Sequence, residues 1–104
     1  MAKLVRTRPQ ARQDARTVIT RYRRERAPHA VEGFVQALSQ AYEHIGRHPA
    51  SGCPRYAERL KPPGLRYWPL QRYPYLVFYR EHPEYVLVWR VLHRKRDIPA
   101  SMRT

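Results

Sequence analysis

Few side chains in this sequence have the chemistry to make or break a bond, and His93 is the one to weigh first. It closes an apolar run, and if the neighbouring strands pair in chain order Arg90, Arg66 and Tyr79 lie near it. An imidazole titrates near neutrality, so His93 could act there as a general acid or base. A histidine at a strand end more often serves structure, and no partner acid is evident. Asp97 is free to pair with Arg94 or Arg96 and organise the chain after the strand. Cys53 sits in a proline-rich stretch without an evident histidine partner, which argues against a nucleophilic thiolate. His44 and His48 have the i, i+4 spacing of a metal pair, but the second falls past Gly46, and no acidic ligand follows. No metal site and no cofactor are expected. Tyr67, Trp68, Tyr73 and Tyr75 interleave with Arg66 and Arg72. That pattern suits either a stacking surface for single-stranded nucleic acid or cross-strand aromatic packing, and packing is the commoner use.

These groups need a scaffold, and the hydropathy pattern supplies one. Lys3 to Thr7 reads as a short strand, and Thr7-Arg8-Pro9 resembles a helix start with proline in its first turn. Ala11, Ala15, Val18, Ile19 and Tyr22 then share one helical face, with Arg12, Arg16, Arg23 and Arg24 off it. After Ala27-Pro28, a second stripe runs through Val31, Phe34, Val35, Leu38, Tyr42 and Ile45. Gly46 is placed for a left-handed helix terminus, and Pro49 prevents continuation. The two helices should pack as an antiparallel hairpin.

Residues 47–63 carry Pro49, Gly52, Pro54, Pro62 and Pro63 and read as irregular. Leu65 to Leu70, interrupted by Pro69, suggests an edge strand. Tyr75 to Arg80 and Tyr85 to His93 flank the turn Glu81-His82-Pro83-Glu84 as a hairpin. Simple alternation puts Leu76, Phe78 and Arg80 on one face, and Val86, Val88, Arg90 and Leu92 together on another. A short basic tail starts at Arg94. The expected fold is α+β in the order β-α-α-β-β-β, with a helical hairpin packed on one face of a small, mainly antiparallel sheet.

The chain has 104 residues, the size of one domain, and 1–104 is read as a single unit. With 42% hydrophobic and 12% aromatic residues it can bury a core, which excludes disorder throughout. Lys+Arg 21 against Asp+Glu 8 gives a net charge of +13 and predicts an acidic partner. The charge is concentrated before Ala27 and after Pro54, and only Lys3, Lys61 and Lys95 are lysines, so arginine forks carry it. A single cysteine excludes an internal disulfide. No apolar run is long enough to span a bilayer, and the start lacks a signal-peptide core, so a cytoplasmic location without membrane contact is expected.

The order of elements, the stretch Pro49 to Gly52, Gly64-Leu65-Arg66, the strand from Tyr73-Pro74-Tyr75 to Arg80, and Val91-Leu92-His93 with Arg96-Asp97-Ile98 together resemble the RelE/ParE family of toxins from type II toxin–antitoxin systems. The resemblance covers nearly the whole chain. It implies a small basic toxin neutralised by an antitoxin whose acidic, amphipathic segment folds on it. The ribosome-dependent ribonuclease branch of that family uses two basic residues on the strand after the loop, a strand arginine, and a later arginine and tyrosine. Here Arg66 and Arg96 fill two of those places, while Trp68, Tyr75 and Met102 stand in the other three. A thioether cannot exchange protons, so the resemblance is closer to the ParE-like branch, which inhibits DNA gyrase by binding.

On that reading the target-binding residues are Arg66, Arg80, Arg90, His93, Lys95 and Arg96, and the tail from Arg94 is the most exposed contact. The alternative is a ribonuclease acting on mRNA at the ribosome, for which the catalytic set would be Arg66, His93 and Arg96. A non-toxic nucleic-acid-binding module is the second alternative.

Overall fold

Arg8-Pro9 and Ala27-Pro28 each put a proline in the first turn of a helix, where its missing N–H leaves no hydrogen bond unmade. The computed structural model, which describes residues 2–103, bears out both starts and the expected order. β1 (Leu4–Thr7) leads into α1 (Pro9–Arg24) and α2 (Pro28–Arg47), then a 3-10 turn at Pro49–Ser51. β2 (Arg66–Pro69), β3 (Tyr75–Glu81) and β4 (Tyr85–His93) follow, and α3 (Ile98–Met102) is the last element among the described residues. The link between α1 and α2 turns at Arg26, whose φ of 56° is left-handed. Ala27 N–H donates back to the Tyr22 carbonyl at 3.0 Å there.

The four strands lie in the order β1-β4-β3-β2, with β1 parallel to β4 and the other pairs antiparallel. The helical hairpin covers one face. Its core contains Ala11, Val18, Phe34, Ala37, Ala41 and Ile45 against Tyr75, Val77, Tyr79, Val86, Val88 and Val91. Phe34 meets Tyr73 and Tyr75 edge-on, with ring centres 5.9 and 5.6 Å apart. A second cluster lies on the opposite face, where Phe78 and Leu92 sit under Leu60, Leu65 and Ile98.

Four expectations need correction. Val35 is 47% exposed, because the buried stripe of α2 centres on Phe34, Ala37, Ala41 and Ile45 and leaves position 35 on its solvent side. Gly46 is not a left-handed terminus: the helix continues to Arg47 and Gly46 is buried in it. The glycine serves a close approach instead, since a Cβ there would come within 3.0 Å of the Lys3 carbonyl oxygen and of Val5, while Lys3 N–H donates to the Gly46 carbonyl at 2.8 Å. Simple alternation also fails in β4. Tyr79 pairs with Val88 but Phe78 with Arg90, so Trp89 is an extra residue and the register shifts. This bulge moves Val91 onto the helix side with Val86 and Val88, and puts Leu92 on the other side. The segment after Arg94 is not simply an exposed tail, because α3 docks with Ile98 and Ser101 buried.

β2 is an edge strand, as its proline suggests. Its outer side is capped at one point by Cys53, which exchanges both backbone hydrogen bonds with Tyr67 at 2.8 and 3.0 Å.

Candidate functional site

β1 pairs with β4 only from Tyr85 to Val88, so the β4 edge beyond that point has backbone groups to satisfy. Asp14 of α1 meets this need. Its Oδ2 accepts from the Val91 N–H at 2.9 Å and from Arg90 Nε at 2.7 Å, and its Oδ1 accepts from Arg90 Nη2 at 3.0 Å. Arg90 Nη1 donates to the Ser101 carbonyl at 2.6 Å. The bidentate pair is enclosed, with side-chain exposures of 5% for Arg90 and 10% for Asp14. Arg90 therefore does not form part of an exposed docking surface. It fastens β4 to α1 and α3, with its charge compensated at short range.

Beside this pair an open groove of about 670 Å³ runs between α1 and the end of β4, bordered by Gln13, Thr17, Arg21, Tyr75, His93 and Arg96. His93 stands opposite Tyr75 in the β3–β4 ladder, the two rings edge to face at 5.3 Å. Its Nδ1 accepts from the Lys95 N–H at 3.1 Å, which leaves the proton of a neutral ring on Nε2. Loss of hydration lowers its pKa, and the positive charges of Arg21, Lys95 and Arg94 lower it further. Arg94, Lys95 and Arg96 are exposed in the turn that follows. Asp97 does not hold this turn by pairing with an arginine. Its Oδ1 caps α3, accepting from the Ala100 N–H at 3.2 Å.

The remaining predicted site residues lie elsewhere. Arg66 pairs across the sheet with Tyr79, four positions along β3 from Tyr75, so it is roughly 13 Å along the strand direction from His93 and two strands away. Arg66 Nη1 donates to the Gly52 carbonyl at 2.9 Å. Tyr79 is fully buried, donates its hydroxyl proton to the Pro49 carbonyl at 2.7 Å and accepts from the Gly52 N–H at 2.9 Å. Burial raises its pKa, and these bonds commit it to the fold. Arg80 alternates with Tyr79 and faces the side away from the helices. Of the six predicted contacts, the groove thus unites His93 and Arg96, with the enclosed Arg90 in its wall and Lys95 between His93 and Arg96 in the turn. The proposed ribonuclease trio is split in the same way, because Arg66 stands apart.

Other candidate groups are engaged locally. His44 stacks on Trp68 at 3.9 Å, and its Nε2 lies 2.9 Å from Ser51 Oγ. Among the described residues, no cluster of three or more His, Cys, Asp or Glu side chains could hold a metal ion. Tyr67 packs against Tyr56 and Phe78, while Tyr73 and Tyr75 pack on Phe34. Those rings are used for packing. Cys53 has its thiol pKa lowered, first by the Tyr67 hydroxyl and then by backbone hydrogen bonding at Arg55.

The site residue that sequence reasoning missed is Asp14. A signal for it existed, since it is the sole acid of α1 and lies at i+3 from Ala11 and i−4 from Val18, on the buried side.

A helical hairpin laid on a four-stranded sheet, with an arginine anchored under a basic strand end, is the arrangement against which known proteins can be compared. The family model described as ParE toxin of type II toxin-antitoxin system, parDE, matches residues 5–98. The chain belongs to the ParE toxin family. No curated protein matches. Among solved structures, the chromosomal ParDE toxin–antitoxin system from P. aeruginosa superposes with a TM-score of 0.72 at 18% identity, covering 88% of this chain and 96% of that one. The RelBE2 toxin–antitoxin complex from Mycobacterium tuberculosis gives 0.58 at 23% identity, covering 90% and 100%. At such identities the likeness is one of fold. The ParE-family chain is the toxin of a type II toxin–antitoxin system, and no helix among its described residues is long and apolar enough to cross a membrane.

Proposed function

We propose that this ParE-family toxin inhibits DNA gyrase by binding, without hydrolytic chemistry, and that a cognate antitoxin neutralises it. The observation that carries the first part is the separation of Arg66 from His93 and Arg96, which keeps those three side chains from meeting on one phosphate. Trp68, Tyr75 and Met102, at the places where a ribonuclease of this fold would hold two cations and a tyrosine, support the same reading. His93, Lys95 and Arg96 form the docking surface at the groove, with Arg66 and Arg80 as outlying contacts. Their contribution is electrostatic steering and charge-assisted hydrogen bonding.

The antitoxin reading is supported by the two solved neighbours, both described as toxin–antitoxin structures. An acidic, amphipathic segment suits the groove between α1 and β4, where apolar Val18 and Tyr75 lie among Arg21, His93 and Arg96. Occupying it would cover the docking surface.

The test is a cleavage assay with purified gyrase, supercoiled plasmid and ATP, stopped with detergent and protease. Linear DNA that appears with this protein supports the proposal, and the Lys95→Ala/Arg96→Ala variant is expected to reduce it about tenfold. Undiminished cleavage by a folded variant removes the turn from the docking surface. The second reading rests on the imidazole of His93, whose Nδ1 accepts from the Lys95 N–H, beside Arg96. Cleaved mRNA in expressing cells that disappears with His93→Ala, together with no linear plasmid, would establish it instead.

A further inference from the structure

The sheet face turned away from the helices is only half covered. Leu76, Phe78 and Leu92 lie in the second core cluster, while the β1 side of that face is open and carries arginines. Val5 packs into the helix-side core, so by alternation its neighbour Arg6 points to the opposite face, where it is exposed. Arg6 is in register with Leu87, and Leu87 with Arg80, so two arginines flank a leucine in a row across three strands, about 10 Å from end to end. Arg6 lies 5.0 Å over the Tyr85 ring, and Arg8, two residues on, lies 3.8 Å over Trp89. Arg12 reaches back from α1 to the Thr7 carbonyl, adding a fourth cation beside them. None of the four is in an ion pair among the described residues, and the nearby Glu81 is taken by Lys3 at 2.6 Å.

We propose that this arginine row is a docking surface for the phosphate backbone of duplex DNA, separate from the groove at His93 and Arg96. Charge complementarity favours a polyanion. A guanidinium seated over an aromatic ring is held in place without using up its N–H donors, and its planar fork fits a phosphate. Arg6 and Arg8 stand about 6.6 Å apart along an extended strand, comparable with the step between successive phosphates of one nucleic-acid chain. The rings beneath them are occupied: Trp89 carries Arg8, and Tyr85 carries Arg6 and is stacked on His82 at 4.5 Å. A single strand binds by stacking its bases on bare rings, whereas a duplex keeps its bases inside and offers phosphates alone. An acidic peptide would need apolar anchors beside the charge, and Leu87 is flanked by arginines.

The proposal stands whichever macromolecule the toxin inhibits, and it is tested without gyrase. The full chain is titrated into a short fluorescein-labelled DNA duplex, and anisotropy is followed between about 50 and about 200 mM salt. Arg6→Gln/Arg8→Gln/Arg80→Gln is expected to weaken binding at least tenfold at the lower salt and to flatten the salt slope by roughly 2 to 3. Arg16→Gln/Arg23→Gln/Arg24→Gln removes the same charge from the exposed side of α1 and should change affinity about twofold or less. Equal loss in both variants would mean diffuse attraction and overturn the proposal. Tighter binding to single-stranded DNA, an RNA duplex or a polyglutamate peptide than to the DNA duplex would overturn the choice of ligand. If the glutamine variant does not fold, Arg6→Lys/Arg8→Lys decides: it keeps the charge and loses the guanidinium fork. Reduced affinity with unchanged near-ultraviolet circular dichroism supports the row, and unchanged affinity refutes it.

Discussion

The two sides of the sheet are covered by different kinds of structure. On one side, α1 and α2 lay regular stripes on Tyr75, Val77 and Tyr79, so each buried residue is held by neighbours one turn away. On the other, Phe78 and Leu92 are covered by Leu60 and Leu65, from a segment without helix or strand, and by Ile98 of the five-residue α3. That segment is tied by a few turn bonds, such as Leu60 N–H to the Tyr56 carbonyl at 3.0 Å and Gly64 N–H to the Ala57 carbonyl at 2.8 Å. A helical cover loses stability cooperatively, whereas a loop cover can open while the rest stays folded. The Arg90–Asp14 pair joins the two, because Asp14 belongs to α1 and Arg90 also holds the Ser101 carbonyl in α3.

Breaking that joint should have the largest effect. Asp14→Ala leaves the Arg90 guanidinium enclosed without its carboxylate and is expected to cost about 3 to 5 kcal/mol in urea unfolding. Combining it with Arg90→Met should restore much of the loss, and a double variant as unstable as the single one would contradict the account. Phe34→Ala probes the helical side alone and should cost about 3 to 4 kcal/mol, with unfolding still a single transition.

Leu60→Ala is the matching change on the loop side, expected to cost about 2 to 3 kcal/mol. Here the sharper reading comes from hydrogen exchange: amides of residues 55–65 should exchange faster while those of α2 stay protected. Uniform acceleration through both regions would erase the proposed difference between them. Tyr79→Phe removes the hydroxyl that satisfies Gly52 N–H and the Pro49 carbonyl and should cost about 1 to 2 kcal/mol.

The smallest effect concerns His93. Burial and the neighbouring cations hold its folded-state pKa below the ordinary 6.5, so the folded chain binds fewer protons than the unfolded chain in the window beneath that value. Stability should fall as the pH drops through 6.5 and level off below the folded-state pKa. His93→Asn should show a shallower decline in urea midpoint over the same range. Identical pH profiles for the two proteins would show that the ring is not perturbed.

The helical side was largely legible from the sequence. Ala11, Val18, Phe34 and Ile45 recur at helical spacing, and a proline marks each helix start. Val35 was misplaced because the stripe followed the larger side chains, while the sheet selects the small Ala37 and Ala41 for close packing. The loop side was illegible. Leu60 and Leu65 lie in a proline-rich stretch with no period, and α3 is too short to carry one. Of the residues proposed from type and position, His93, Lys95 and Arg96 lie together at the end of β4, whereas Arg90 is enclosed because Asp14, distant in sequence, reaches it from α1.

Residue order alone determined the β-α-α-β-β-β succession, the concentration of arginine at both ends and the family. These depend on local preference and on patterns within a few turns. Tertiary structure decided which arginine is buried and which is free, because that depends on where β1 stops pairing with β4 and on which carboxylate reaches the open edge. Arg90 and Arg96 are alike in composition and near in sequence. Asp14, 76 residues before Arg90, makes one a structural fastening, while the other remains exposed at the groove.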